Sequence, residues 1–426
     1  MPEEPARAFH FGNLVIDTRP LRNVAFRRLW LSGTVTTIGS QLTAVSVPKQ
    51  IYDLTGSSAM VGLSGGVALV PLVVFGLWGG AIADAMDRRR LLLLSTAGIA
   101  VTSALLAAQS FAGNRSVWVI LLLLALQQAF FGVNQPTRSA AIARLVTRPE
   151  LPAANALNST VQSFGAVAGP LMAGALIPIV GIPLLYTIDT VGLTVMLWSV
   201  WRLPPIPPSG ELRRRDGLRN VVDGFRYLAP RSILLVSFLA DLTAMILGMP
   251  RALFPQLAST TFAGGAGGSS LALGLLFAAI PIGSFCGGLL SGPLTRVRRQ
   301  GVAVTLAVGG WGVSIAAFGL MHSIWLAAIC LAVAGACDLG SMVLRGAMLQ
   351  TEAVDEMRGR MQGVYTVVVA GGPRLADLVH GFAGAAAGTT VAITGGGILV
   401  VLVMTGIVVL LPAFWRYRAP EVAGSL

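Results

Sequence analysis

Residues Ala59 to Arg90 read AMVGLSGGVALVPLVVFGLWGGAIADAMDRRR, 25 residues without a charge up to Ala83, then Asp84, Asp87 and three arginines. An α-helix needs about 20 mostly apolar residues to cross a hydrocarbon core of about 30 Å. The run therefore reads as a membrane span and its arginine-rich end as a loop held at one bilayer face. The same criterion, carried outward, gives twelve spans. The first six run Leu29 to Tyr52, Ala59 to Ala83, Leu91 to Phe111, Val117 to Thr137, Pro152 to Pro178 and Pro183 to Trp201. The second six run Ser232 to Leu257, Leu271 to Leu294, Val302 to Met321, Ile324 to Leu344, Met361 to Phe382 and Val391 to Phe414.

Composition agrees with this reading. Of 426 residues 54% are hydrophobic and 11% charged, against roughly a quarter charged in a soluble domain. The 51 glycines follow no three-residue period, so neither a collagen-like nor a disordered chain fits. The net charge of +12 would raise nucleic-acid binding in a soluble protein. With both termini cytoplasmic, however, 26 of the 30 basic residues fall in inner loops and tails and Arg115 alone falls in an outer loop. Lys49, Arg251 and Arg374 lie within spans or at their outer ends. The excess charge is thus a topology signal of a multi-pass membrane protein, and no nucleic-acid partner is expected. Cys286, Cys330 and Cys337 lie in apolar runs, so neither a disulfide framework nor a metal site is expected. No apolar segment with a small-residue cleavage site opens the chain, so no removable signal is expected.

The expected organisation is a cytoplasmic tail (1–28), a six-helix bundle (29–203), a cytoplasmic linker (204–231), a second bundle (232–414) and a short tail (415–426). The linker carries Pro204, Pro205, Pro207 and Pro208, then Arg213 to Arg215. Leu218, Val221, Val222, Phe225 and Leu228 follow at helical spacing, which predicts a short amphipathic surface helix.

The two bundles repeat one another. Gly80 to Asp84 with Arg88 and Arg90 has a counterpart 208 residues on, in Gly288 to Gly292 with Arg296 and Arg298. Spans four and ten both end in arginine, Arg138 and Arg345, offset by 207, and Ala168-Gly169-Pro170 parallels Gly371-Gly372-Pro373 at 203. Such offsets argue for a duplicated six-helix unit, a plan in which the substrate path lies between parallel halves.

The loop from Gly80 through Asp84 to Arg88, Arg89 and Arg90 resembles the signature loop of the major facilitator superfamily. Asp87 and Ala85 stand where that pattern has glycine and arginine. Gly165-Ala-Val-Ala-Gly169-Pro170-Leu-Met-Ala-Gly174 in span five is similar to the superfamily's antiporter motif, where small residues admit a neighbouring helix and proline permits a bend. Val47-Pro48, Gln50, the stretch Leu273 to Gly283 and Met348-Leu-Gln350-Thr with Gly359-Arg360 resemble the enterobactin exporter branch of that superfamily. The resemblance implies an all-α membrane protein of twelve helices in two pseudo-symmetric bundles. It implies a proton-driven exporter of a siderophore or related amphiphile working by alternating access. A multidrug efflux pump, a proton-coupled importer and a transport-dead sensor or scaffold are the other readings.

Ionisable groups at membrane depth are functional candidates because an unpaired charge in lipid is costly. Asp241 lies about 14 Å along span seven at 1.5 Å per residue. The resemblance makes spans one, four, seven and ten line the path, so Asp241 and Asp338 are the proton-coupling candidates, with a permanent bond to a neighbouring helix as the other reading of each. Arg251 either attracts an anionic substrate or pairs with Asp53 or another aspartate. Arg374, Asp377 and His380 share one face of span eleven as a structural or gating cluster. Asp189 is expected to serve helix packing. Gln41, Gln127, Gln128, Phe131 and Asn134 are candidates for lining the cavity, while Asp84, the loop arginines, the span-five motif, Arg138 and Arg345 are gating candidates. Span one has no embedded acid. No phosphate-binding loop and no catalytic constellation appear, so the energy source expected is the proton gradient, with no cofactor and no enzymatic activity. A monomer handling a small molecule is expected.

Overall fold

The computed structural model describes residues 17–207, 223–224, 226–264, 268–352 and 355–419, the side chains at 80, 81, 83, 84, 295, 296, 355, 356 and 358–367 excepted. Within them the chain is all-α. Nine helices are long and apolar enough to cross a membrane among the described residues, and one of these, Arg148–Trp201, is long enough to cross twice. Val24–Thr55 and Asp355–Ala387 complete the set as spans one and eleven.

Local chemistry sets the ends of these helices. Asn23 begins span one, its Oδ1 accepting from the amides of Ala25 and Phe26 at 2.9 and 3.2 Å. Its amide donates to the Leu145 carbonyl at 2.6 Å, which ties the start of span one to the end of span four. Span one thus starts five residues inside the expected tail. It stops at Gly56, whose left-handed φ of 62° closes the last turn at little cost to glycine. Asp87 caps span three, accepting from the Arg90 amide and, through its other oxygen, from the Ile206 amide, both at 3.0 Å. Arg88 N–H donates to the Ile206 carbonyl at 3.0 Å. The chain leaving span six is therefore stapled to the loop between spans two and three.

Two connections differ in kind from those expected. Spans five and six, expected as Pro152 to Pro178 and Pro183 to Trp201, join through a kink rather than a loop. Gly181 alone leaves the helical region there, at φ 74°, two residues before Pro183 removes a backbone donor. Span seven, expected unbroken to Leu257, stops at Gly248. Met249 and Pro250 leave helical dihedrals, Arg251–Leu253 forms a 3-10 turn and Phe254–Thr260 resumes the helix. Proline supplies no amide to bridge the gap. Most of the amphipathic segment expected at 218–228 lies outside the described residues. Its last residue, Leu228, is buried with Leu234, Phe238 and Val368.

Among the described residues, the halves share a core at one end only. Leu42, Val45, Ala173, Ile177 and Leu185 of the first half join Leu253, Phe254, Leu257, Leu273 and Leu276 of the second. This is the arginine-poor end. The arginine-rich end of the first half has its own core around Phe26, Leu29, Leu92, Leu157, Met196 and Val200. Around the flanks Val70, Leu94, Trp118, Leu122, Trp198, Trp325 and Leu402 are exposed, a belt that suits lipid and would be costly in water.

Candidate functional site

In span seven Asp241 is 1% exposed and meets the guanidinium of Arg345 in span ten, Oδ1 to Nη2, at 2.7 Å. Arg345 Nε donates to Ser341 Oγ one turn earlier at 3.0 Å, which fixes the guanidinium plane. The contact to Asp241 is off the hydrogen-bond axis, and neither carboxylate oxygen has an aligned donor among the described residues. Asp338, two turns before Arg345 on the same face, lies within electrostatic reach of both. Two carboxylates thus lie near one guanidinium.

The span-five motif divides its work between two neighbours. A Cβ on Gly165 would press into Thr37 at 2.5 Å, and one on Gly169 would strike Gln41, so these two glycines admit span one. Gly174 instead faces span eight, where a Cβ would stand 3.0 Å from Gly274 Cα and 2.7 Å from the Ser270 carbonyl oxygen. Spans two and eleven approach as closely. Gly62 faces the Asp377 carbonyl and Gly381, and Ser58 Oγ donates to the Gly381 carbonyl at 3.2 Å. Both contacts join one half to the other at the arginine-poor end.

Beside the second contact, Asp377 lies within reach of Arg251 and Arg374. Arg251 thus has Asp377 and Arg374 as charged neighbours, while the carboxylate of Asp53 is held by Lys49 at 2.8 and 2.9 Å. Lys49 is one turn before Asp53, and that local spacing wins. His380 Nδ1 lies 3.2 Å from the Ala376 carbonyl, within its own helix.

The first-half candidates are dispersed. Asn134 Nδ2 donates to Ser95 Oγ at 2.9 Å and Thr96 Oγ1 at 3.0 Å, so its amide is spent on span three rather than on a cavity. Gln127 is buried, Gln128 and Gln41 are half-buried and Phe131 is exposed. Arg138 is half-buried, its guanidinium against Gly33 of span one. Of the loop arginines, Arg88 is buried, Arg89 Nη2 donates to the Trp201 carbonyl at 2.5 Å and Arg90 is exposed. The side chain of Asp84 lies outside the described residues.

Two polar networks carry residues not singled out as site candidates. Asp189 Oδ2 accepts from Thr43 of span one and from Ser103 of span three, each at 2.8 Å. Nearer the arginine-poor end, Gln50 bonds Gln109 at 3.1 and 3.3 Å and accepts from Tyr186 at 2.9 Å. Polar residues on separate apolar spans were the signal, because each buried one needs a partner.

Paired bundles with glycine-built contacts between halves are a transporter plan, and relatives supply the family. The signature of the family described as transmembrane secretion effector (MFS_3) matches residues 17–420. The chain belongs to this major facilitator family. The enterobactin exporter EntS of Escherichia coli (strain K12) is 30% identical over 409 residues, 94% of this chain and 95% of its own. EntS of Shigella dysenteriae serotype 1 (strain Sd197) matches at the same identity and coverage. Among solved structures, the nucleoside transporter NupG superposes with a TM-score of 0.70 at 16% identity, over 92% of this chain and 98% of its own. A bacterial homolog of the human lysosomal transporter Spinster, in an inward-facing and occupied conformation, gives 0.69 at 16%, over 95% and 100%. At such identities these two show the fold of this major facilitator protein and nothing finer.

Proposed function

We propose that the protein is a secondary exporter that moves a siderophore or related amphiphile out of a bacterial cell by alternating access, driven by protons. The observation that carries this reading is the seal between halves at the arginine-poor end, where Gly62 meets Gly381 and Gly174 meets Gly274. Under the positive-inside rule that end faces outward and both termini are cytoplasmic. The structure then corresponds to a form able to load from the cytoplasm. Rocking of the halves would open the outer end. The similarity to enterobactin exporters supports the substrate class.

The Asp241–Arg345–Asp338 group is the proposed coupling centre. Protonation of one carboxylate brings the group to neutrality, and deprotonation restores a charge that must be accommodated before the next turn of the cycle. The test uses vesicles containing the purified protein, an imposed pH gradient and enterobactin as probe. Asp241→Asn and Asp338→Asn are expected to abolish probe-dependent proton movement. Flux unchanged in both variants would sink the coupling assignment, and transport indifferent to the gradient would sink proton antiport.

A further inference from the structure

The two halves differ at one matched pair of helix positions. Spans four and ten are each 29 residues long, and Arg138 and Arg345 are each the twenty-second residue. Asp241 is the tenth residue of span seven as Ser232–Gly248 opens it, and the tenth residue of span one, which starts at Val24, is Gly33. The second half therefore sets Arg345 against Asp241, and the first half sets Arg138 against Gly33. In both halves the guanidinium reaches the same rung of the partner helix. Only one half supplies the carboxylate.

We infer that Arg138 over Gly33 is a seat for the anionic group of the transported molecule, a planar anion presenting two oxygens as a carboxylate does. Three observations carry this. No carboxylate among the described residues pairs with Arg138, whereas Arg345 has Asp241 at 2.7 Å and Asp338 close by. Arg345 is 5% exposed and closed over its partner, while Arg138 is only half-buried and has no such partner among the described residues. Gly33 lets the guanidinium lie directly against span one at the rung that Asp241 takes in span seven, because any Cβ there would collide with it. A guanidinium is a planar fork of donors that matches a carboxylate through two parallel hydrogen bonds, and it stays charged at any pH the cell meets. A ligand carboxylate would thus recreate at Arg138 the pair that Asp241 makes at Arg345. The inference deepens the exporter reading by naming the charged group of its substrate. Equilibrium binding tests it without transport, so either can fail alone.

The experiment measures binding of benzoate to the full-length protein in detergent by saturation-transfer NMR, with benzamide as the neutral isostere. Benzoate is expected to bind about tenfold better than benzamide, as a charge-assisted pair requires. Arg138→Gln should bring benzoate down to the benzamide level. Gly33→Asp should do the same by supplying the missing carboxylate internally, whereas Gly33→Ala, which shifts the guanidinium without neutralising it, should keep the preference. Arg138→Lys should restore part of the binding and guards against a Gly33→Asp variant that fails to fold. Benzoate binding equal in the wild type and in Arg138→Gln, or loss in Arg251→Gln with none in Arg138→Gln, would overturn the inference.

Discussion

Asp241 and Arg345, 104 positions apart in the chain, stand 2.7 Å from one another with side chains 1% and 5% exposed. Removing one member of so buried a pair leaves an uncompensated charge, a loss of about 3–5 kcal/mol. Arg345→Gln leaves two carboxylates facing each other, while Asp241→Asn leaves Arg345 its neighbour Asp338. Thermal unfolding in detergent should therefore rank wild type, then Asp241→Asn, then Arg345→Gln. An Arg345→Gln protein with the wild-type Tm would show that the pair does not hold spans seven and ten together.

Asp189 fastens three helices through a single oxygen, with Thr43 and Ser103 each at 2.8 Å. Thr43→Val or Ser103→Ala should each cost about 1–3 kcal/mol, and the two together more than their sum, because the second removes the carboxylate's last donor. The measurement is the Tm of the singles and the double. Strict additivity would mean that water or another group takes over.

Asn134 belongs to the packing of spans three and four, with both its donors used there. Asn134→Ala should lower Tm while the KM for transport stays within about twofold, since KM reports on groups that touch substrate. A large rise in KM at unchanged Tm would return Asn134 to the cavity.

A methyl on Gly274 would lie 2.5 Å from the Pro170 carbonyl oxygen and 2.9 Å from Gly174 Cα, both backbone atoms that cannot swing aside. Gly274→Ala should force the arginine-poor end apart at a strain of about 1–3 kcal/mol. In a background with Cys286, Cys330 and Cys337 replaced, Ser270→Cys beside this contact should then react about tenfold faster with a membrane-impermeant maleimide, as a shift of about 1.4 kcal/mol implies. An unchanged rate would show that spans five and eight tolerate the methyl while closed.

The spans were legible because lipid demands long apolar runs, and the repeat was legible because arginines and a glycine-proline pair recur at nearly constant offsets. The break in span seven was written as Met249-Pro250-Arg251, yet an apolar count passes over a proline that flanking hydrophobic residues outnumber. What no pattern along one helix could give was the partner of each embedded polar group. Asp241 finding Arg345, or Asn134 finding Ser95, depends on helix rotation and depth, which the packing of several spans decides together. Arg251 is the instructive case. Asp53 was a plausible partner by depth, but Lys49 lies one turn away from it on the same helix and holds it.

The contacts at Gly62 with Gly381 and at Gly174 with Gly274 bring main chain against main chain. At these two points, unlike in the side-chain core beside them, there are no teeth to mesh. Two planed faces can part and meet again without side chains having to change rotamer and find their slots. The latch is thus easy to open and easy to re-form, and a single methyl group is enough to foul it.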